Sequence, residues 1–122
     1  MQRFKALSKI LNIGDKVHII TRRHFPQEVR RHFIGEVQAV QDTAVRASGY
    51  TFIFDESRNT FVRKPEQRVR VFGITDSGLI VNVISSMTDL EAVTYQANEK
   101  GNVVCTDGKY FSLDVNEFTS SR

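Results

Sequence analysis

From Val17 to Leu113 the chain is a succession of short runs in which apolar and polar residues alternate, parted by Gly, Asn, Asp or Pro. A period near two puts successive side chains on opposite faces of a strand, so this pattern confines the fold to sheet. Val17, Ile19 and Thr21 alternate with His18, Ile20 and Arg22, and residues 33–40 repeat the pattern. Pro26 lies between them and breaks a ladder, so the two runs are expected to be arms of one hairpin. Extended runs follow at 44–47, 50–54, 60–63, 68–74 and 79–84. Residues 50–54 are apolar on both faces, which predicts a strand buried on both sides or lying at a subunit contact. Gly35, inside a run, predicts a bulge or a bend.

The two ends of the chain read differently. Phe4, Leu7 and Leu11 recur at helical spacing with Arg3, Lys5 and Lys9 opposite, which predicts a short amphipathic helix ended by Asn12 and Gly14. Thr88 and Glu91 have the spacing of a capping box, predicting a single helical turn. Residues 93–97, 102–106 and 110–113 predict a C-terminal β meander, with Asp107-Gly108 as a hairpin turn. A length of 122 residues gives one domain, read as a helix plus small barrel over 1–85 and a β extension over 86–122. The expected class is all-β.

A short helix followed by a strongly bent five-strand meander resembles the Sm-like fold, a small SH3-like barrel. The resemblance is carried by residues 4–11, by the bent strand around Gly35, and by Val71-Phe72-Gly73-Ile74 with residues 79–84 behind it. It implies rings built by strand pairing between copies, and RNA binding. The family's RNA-contact positions hold Gln41, Val45 and Phe72 here, so those contacts are not implied. A second likeness, to cold-shock domains, rests on Gly49-Tyr50-Thr51-Phe52-Ile53 and Thr60-Phe61-Val62-Arg63, and implies rings stacked on bases.

Charge supplies the candidate site. Residues 1–70 hold 14 Lys and Arg against 7 Asp and Glu, whereas residues 71–122 hold 3 against 7. Such a division suits an anionic partner, or self-association in which basic and acidic surfaces of copies meet. Scattering over a solvated surface is the plain alternative. A duplicated tetrapeptide, Arg22-Arg23-His24-Phe25 and Arg30-Arg31-His32-Phe33, crowds four guanidinium groups and two imidazoles around one loop. Arginine forks match phosphate geometry, so a nucleic-acid backbone or another polyanion is the expected partner. The alternative is pairing with Glu28, Glu36 or another copy's acidic part. Arg63, Lys64, Arg68 and Arg70, with Arg58, form a second basic group that would extend the groove.

Catalysis has no constellation behind it. Residues 101–109 miss the phosphate-loop spacing. His18, His24 and His32 lack metal-site spacing, and solvated or ion-paired histidine is the expected state. Cys105 sits in an apolar run and reads as a small buried hydrophobe. Asp55 with Glu56, and Asp114 with Glu117, stand where turns and chain ends ordinarily keep carboxylates. The expectation is a nonenzymatic module for RNA or DNA, homo-oligomeric, without metal or cofactor. The competing reading is a structural or protein-interaction subunit. With one cysteine, no secretory signal and no apolar run of spanning length, the sequence predicts a cytoplasmic chain without membrane contact.

Overall fold

The computed structural model describes residues 10–75 and 78–115. Eight strands form two antiparallel sheets. The first contains β1 (Lys16–Thr21), β2 (Arg31–Gln41), β3 (Ala44–Asp55), β4 (Thr60–Gly73) and β5 (Leu79–Ile84), in the order β4-β3-β2-β1-β5. The second is the meander β6 (Thr94–Ala97), β7 (Val103–Thr106), β8 (Ser112–Asp114). β1 and β2 are the predicted hairpin, paired from Lys16 opposite Glu36 to Thr21 opposite Arg31.

Several boundaries differ from the sequence reading, each for a physical reason. Residues 44–47 and 50–54 belong to one strand, because Ser48 and Gly49 continue the ladder to Glu36 and Gly35. Residues 60–63 and 68–74 also merge. Lys64, Pro65 and Glu66 together oppose Thr51, so Pro65 is accommodated in a bulge where its missing N–H costs no ladder bond. In β2 the irregularity falls at Gln38. Gly35 serves instead for close approach, since a Cβ there would lie 2.5 Å from the Ser48 carbonyl oxygen.

The helical turn at Leu90–Ala92 is 3-10, and its cap is Asp89, whose carboxylate accepts from the Glu91 amide. Thr88, the residue expected to cap it, donates its hydroxyl to the Ser85 carbonyl. The Asp107-Gly108 turn forms as predicted: Gly108 has φ of 83°, and Asp107 accepts from the amides of Lys109, Tyr110 and Phe111.

One correction concerns the architecture. The expected barrel is not closed: β4 and β5 end the sheet, and no ladder joins them among the described residues. The predicted N-terminal helix lies almost wholly outside the described residues, which begin at Ile10.

The central strands of the first sheet are buried on both faces, whereas most of the edge strand β4 is exposed. Val17, Ile19, Phe33, Val37, Val45 and Ala47 form one cluster, joined by Phe72, Ile74, Leu79 and Val81, so all five strands curl around a shared set of side chains. On the other face Ile34, Tyr50, Phe52 and Phe61 pack against Val93, Tyr95, Cys105 and Phe111 of the C-terminal segment. Each large side chain removed from water in this way contributes roughly 1.5–3 kcal/mol. The two-sided burial expected of residues 50–54 is therefore met by the chain's own second sheet.

Candidate functional site

The loop between β1 and β2, residues 22–30, holds the first copy of the tetrapeptide and Arg30 of the second, and is fixed at its two ends. The Arg22 amide donates to the Gly78 carbonyl at 2.7 Å, and the Phe54 amide donates to the Arg30 carbonyl at 3.1 Å. Within the loop the Arg23 guanidinium donates to the Pro26 carbonyl at 2.6 Å, and the Glu28 carboxylate accepts from the His24 amide at 2.8 Å. Glu28, considered from the sequence as a partner for these arginines, accepts from the Arg23 guanidinium through its carbonyl oxygen at 3.4 Å, while its carboxylate caps the loop.

Beside this loop is a cleft of about 630 Å³, into which Arg22, Arg23 and Arg30 project. His32 and Phe54 complete the side formed by the first sheet, and Gly101, Val103 and Val115 supply the opposite wall. Arg30 places its guanidinium 4.4 Å from the Phe54 ring centroid and 5.4 Å from that of Phe61. Among the described residues no carboxylate lies within salt-bridge distance of Arg22, Arg23 or Arg31; the ion pairs found there are Arg58 with Asp55 and Arg68 with Glu66. Arg22 and Arg23, with no carboxylate in reach among the described residues, raise the local positive potential, which suits an anion.

Not every expected residue contributes. Arg31 is the first residue of β2 and His24 belongs to the loop, but neither lines the cleft. Arg63, Lys64, Arg68 and Arg70 are all on the edge strand β4 and do not reach it. Arg63 is committed elsewhere, lying over the Tyr50 ring at 4.6 Å and donating to the Glu91 carbonyl at 3.0 Å. Lys64 borders a separate shallow hollow on the far side of Phe54. The sequence singled out none of the residues that give the cleft its apolar side: Ile20, Phe54, Val103 and Val115.

A buried polar chain runs beneath the cleft. The Asn82 side-chain nitrogen is 3.3 Å from His18 Nδ1, His18 Nε2 is 3.0 Å from the Tyr95 hydroxyl, and that hydroxyl is 2.6 Å from His32 Nδ1. One arrangement that fits these distances has the Asn82 amide donating to His18, His18 to Tyr95 and Tyr95 to His32, with both imidazoles neutral and protonated on Nε2. Burial lowers the pKa of His18 to about 4; burial, then the nearby His18 and Arg30, lowers that of His32 to about 3. His18 and His32 are therefore core residues, not the solvated or ion-paired ones expected. His32 stacks on Phe61 at 4.1 Å.

Tyr50, Phe52 and Phe61 lie in the core between the two sheets. The aromatic rings on which the cold-shock likeness rests are covered by the chain itself. Cys105 is fully buried, and among the described residues no cluster of His, Cys, Asp and Glu could hold a metal ion. Nor is any described helix long and apolar enough to cross a membrane. No family model, no curated protein and no solved structure matches this chain.

Proposed function

We propose that this protein is a nonenzymatic binding module that holds the phosphates of a nucleic acid, RNA or DNA, in the cleft beside the β1–β2 loop. The observation that carries the proposal is the convergence of Arg22, Arg23 and Arg30 on one cleft, from a loop tied down at both ends. Preorganised cations lose little freedom on binding, and each phosphate neutralised releases counterions. The curled five-stranded meander supports an Sm-like reading of the fold, and the lone buried cysteine is compatible with a reducing cytoplasm.

Titrating the protein into a fluorescent single-stranded oligonucleotide at several salt concentrations tests this. Affinity is expected to fall steeply and linearly on logarithmic axes, and the Arg22→Ala, Arg30→Ala double variant is expected to bind far more weakly with a shallower salt slope. Affinity insensitive to salt, or unchanged in the double variant, would remove the cleft as the site.

A second reading, self-association, is favoured by the open edges of the first sheet. Among the described residues no strand pairs with the outer side of β4 or β5. Val69 and Val71 on β4 and Val83 on β5 are more than half exposed, at 58%, 69% and 56%. An unpaired edge with apolar residues is a template for another strand. Sedimentation equilibrium decides it, a monomer mass at all concentrations counting against this reading.

A further inference from the structure

Resting on the phosphate reading of the same cleft, we propose that it admits one unpaired nucleotide of a single strand, its phosphate on Arg22 and Arg23 and its base against the guanidinium that Arg30 holds over Phe54. A site for phosphate alone would be polar throughout. Here Ile20, Phe54, Val103 and Val115 make much of the wall apolar, which inorganic phosphate cannot use and a base can. The volume, about 630 Å³, lies in the range of sites for small organic ligands, roughly 300–1,000 Å³.

The stacking surface is already assembled. Phe54 and Phe61 meet edge to face at 5.3 Å, and the Arg30 guanidinium lies 4.4 Å from the Phe54 centroid. A guanidinium laid on an aromatic ring has a fixed plane, and bases stack on arginine planes as they do on rings. Asn59, also at the cleft, carries an amide donor and acceptor that can meet a base edge. In a duplex the base is already paired and stacked, so it would first have to be extruded at the expense of both interactions. A single strand presents its bases without that cost.

Fluorescence anisotropy on the full chain, with four probes, tests the inference: a base-bearing single strand, an abasic strand of equal length, the corresponding duplex and inorganic polyphosphate. The base-bearing strand is expected to bind about ten-fold more tightly than the abasic one, and more tightly than the duplex. Phe54→Leu is expected to bring the affinity of the base-bearing strand down to the abasic level. Equal affinity for base-bearing and abasic strands overturns this inference and leaves the phosphate reading standing. Failure to bind any probe, polyphosphate included, overturns the phosphate reading itself. The probe comparison uses the unaltered protein, so it decides even if Phe54→Leu does not fold.

Discussion

Gly35 and Gly49 stand opposite one another on β2 and β3, so close that a Cβ on either would collide with the neighbouring strand's backbone. At Gly49 the obstruction is the Ile34 carbonyl oxygen and the Gly35 Cα, and neither can swing aside as a side-chain tip could. The pair lets β2 and β3 approach closely beside the cluster of Val17, Phe33 and Val45.

Gly49→Ala is therefore expected to destabilise the protein by about 3 kcal/mol or more, at the upper end of overpacking costs, because backbone must move. Gly73→Ala is the control, since nothing lies within 4 Å of a Cβ there. Urea unfolding should show a much lower midpoint for Gly49→Ala and a near-native one for Gly73→Ala. Equal midpoints would refute the close-approach account.

Tyr95 joins the two sheets through its hydroxyl, which meets His18 at 3.0 Å and His32 at 2.6 Å. Tyr95→Phe keeps the ring against Phe52 and Phe61 but strands a donor on His18 and an acceptor on His32 in a buried site. Leaving such groups unpaired costs about 1–3 kcal/mol apiece, so the expected loss is on the order of 2–5 kcal/mol. Chemical denaturation measures it, and a loss below about 1 kcal/mol would mean that water or rearrangement replaces the hydroxyl.

Acid should weaken the fold in a window set by the two histidines. In the unfolded chain each takes a proton near pH 6.5. In the folded protein burial holds His18 neutral down to about 4 and His32 down to about 3. The unfolded state thus binds more protons across this interval, and stability, fully present above about pH 7, falls as the pH drops toward 4. The loss is on the order of 3 kcal/mol for each histidine. Asp107 acts lower: partial burial opposes its ionisation, but the amides of Asp89, Lys109, Tyr110 and Phe111 win and hold its pKa at about 2, so its contribution disappears as the pH falls below about 4. Melting temperatures that stay level between about pH 7 and pH 4.5 would contradict the neutral-histidine assignment.

The sheet was legible in the sequence because strand formation is written locally. Alternation in residues 17–21 and 33–40, and the Asp107-Gly108 turn, each follow from a few neighbouring residues. Closure was not legible, since whether β4 meets β5 depends on curvature summed over all five strands. Gly35 was noticed as a bend, and Gly49 only as the start of an aromatic run, because only the long-range register makes the two a pair. The tetrapeptide was visible as a charge cluster, and three of its four arginines do converge. Which three depends on the last residue of the loop and the first of the strand: Arg30 is on one side of that boundary and Arg31 on the other. His18 and His32 were misjudged because a buried imidazole needs a partner, and that partner, Tyr95, comes from the second sheet.

Cys105 should be inert to thiol reagents in the folded protein. It is fully buried, and burial pushes its thiol up to about 12, only slightly offset by the Tyr95 hydroxyl. The thiolate is the reactive species, so alkylation by iodoacetamide near pH 8 should proceed only through unfolding and should accelerate with urea along the unfolding curve. Rapid labelling in the absence of denaturant would show the strand β7 to be open.

The difference between neighbouring arginines gives the sharpest test of the cleft. From the sequence Arg30 and Arg31 are equivalent members of one cluster, whereas in the structure Arg30 lines the cleft over Phe54 and Arg31 does not. Arg30→Ala is expected to weaken oligonucleotide binding substantially, since it removes from the cleft the guanidinium held over Phe54, and to make the salt slope shallower. Arg31→Ala removes the same formal charge one residue away, so it controls for loss of net charge, and its slope should remain close to the native one. Identical losses for the two variants would mean that diffuse charge, not the cleft, governs binding.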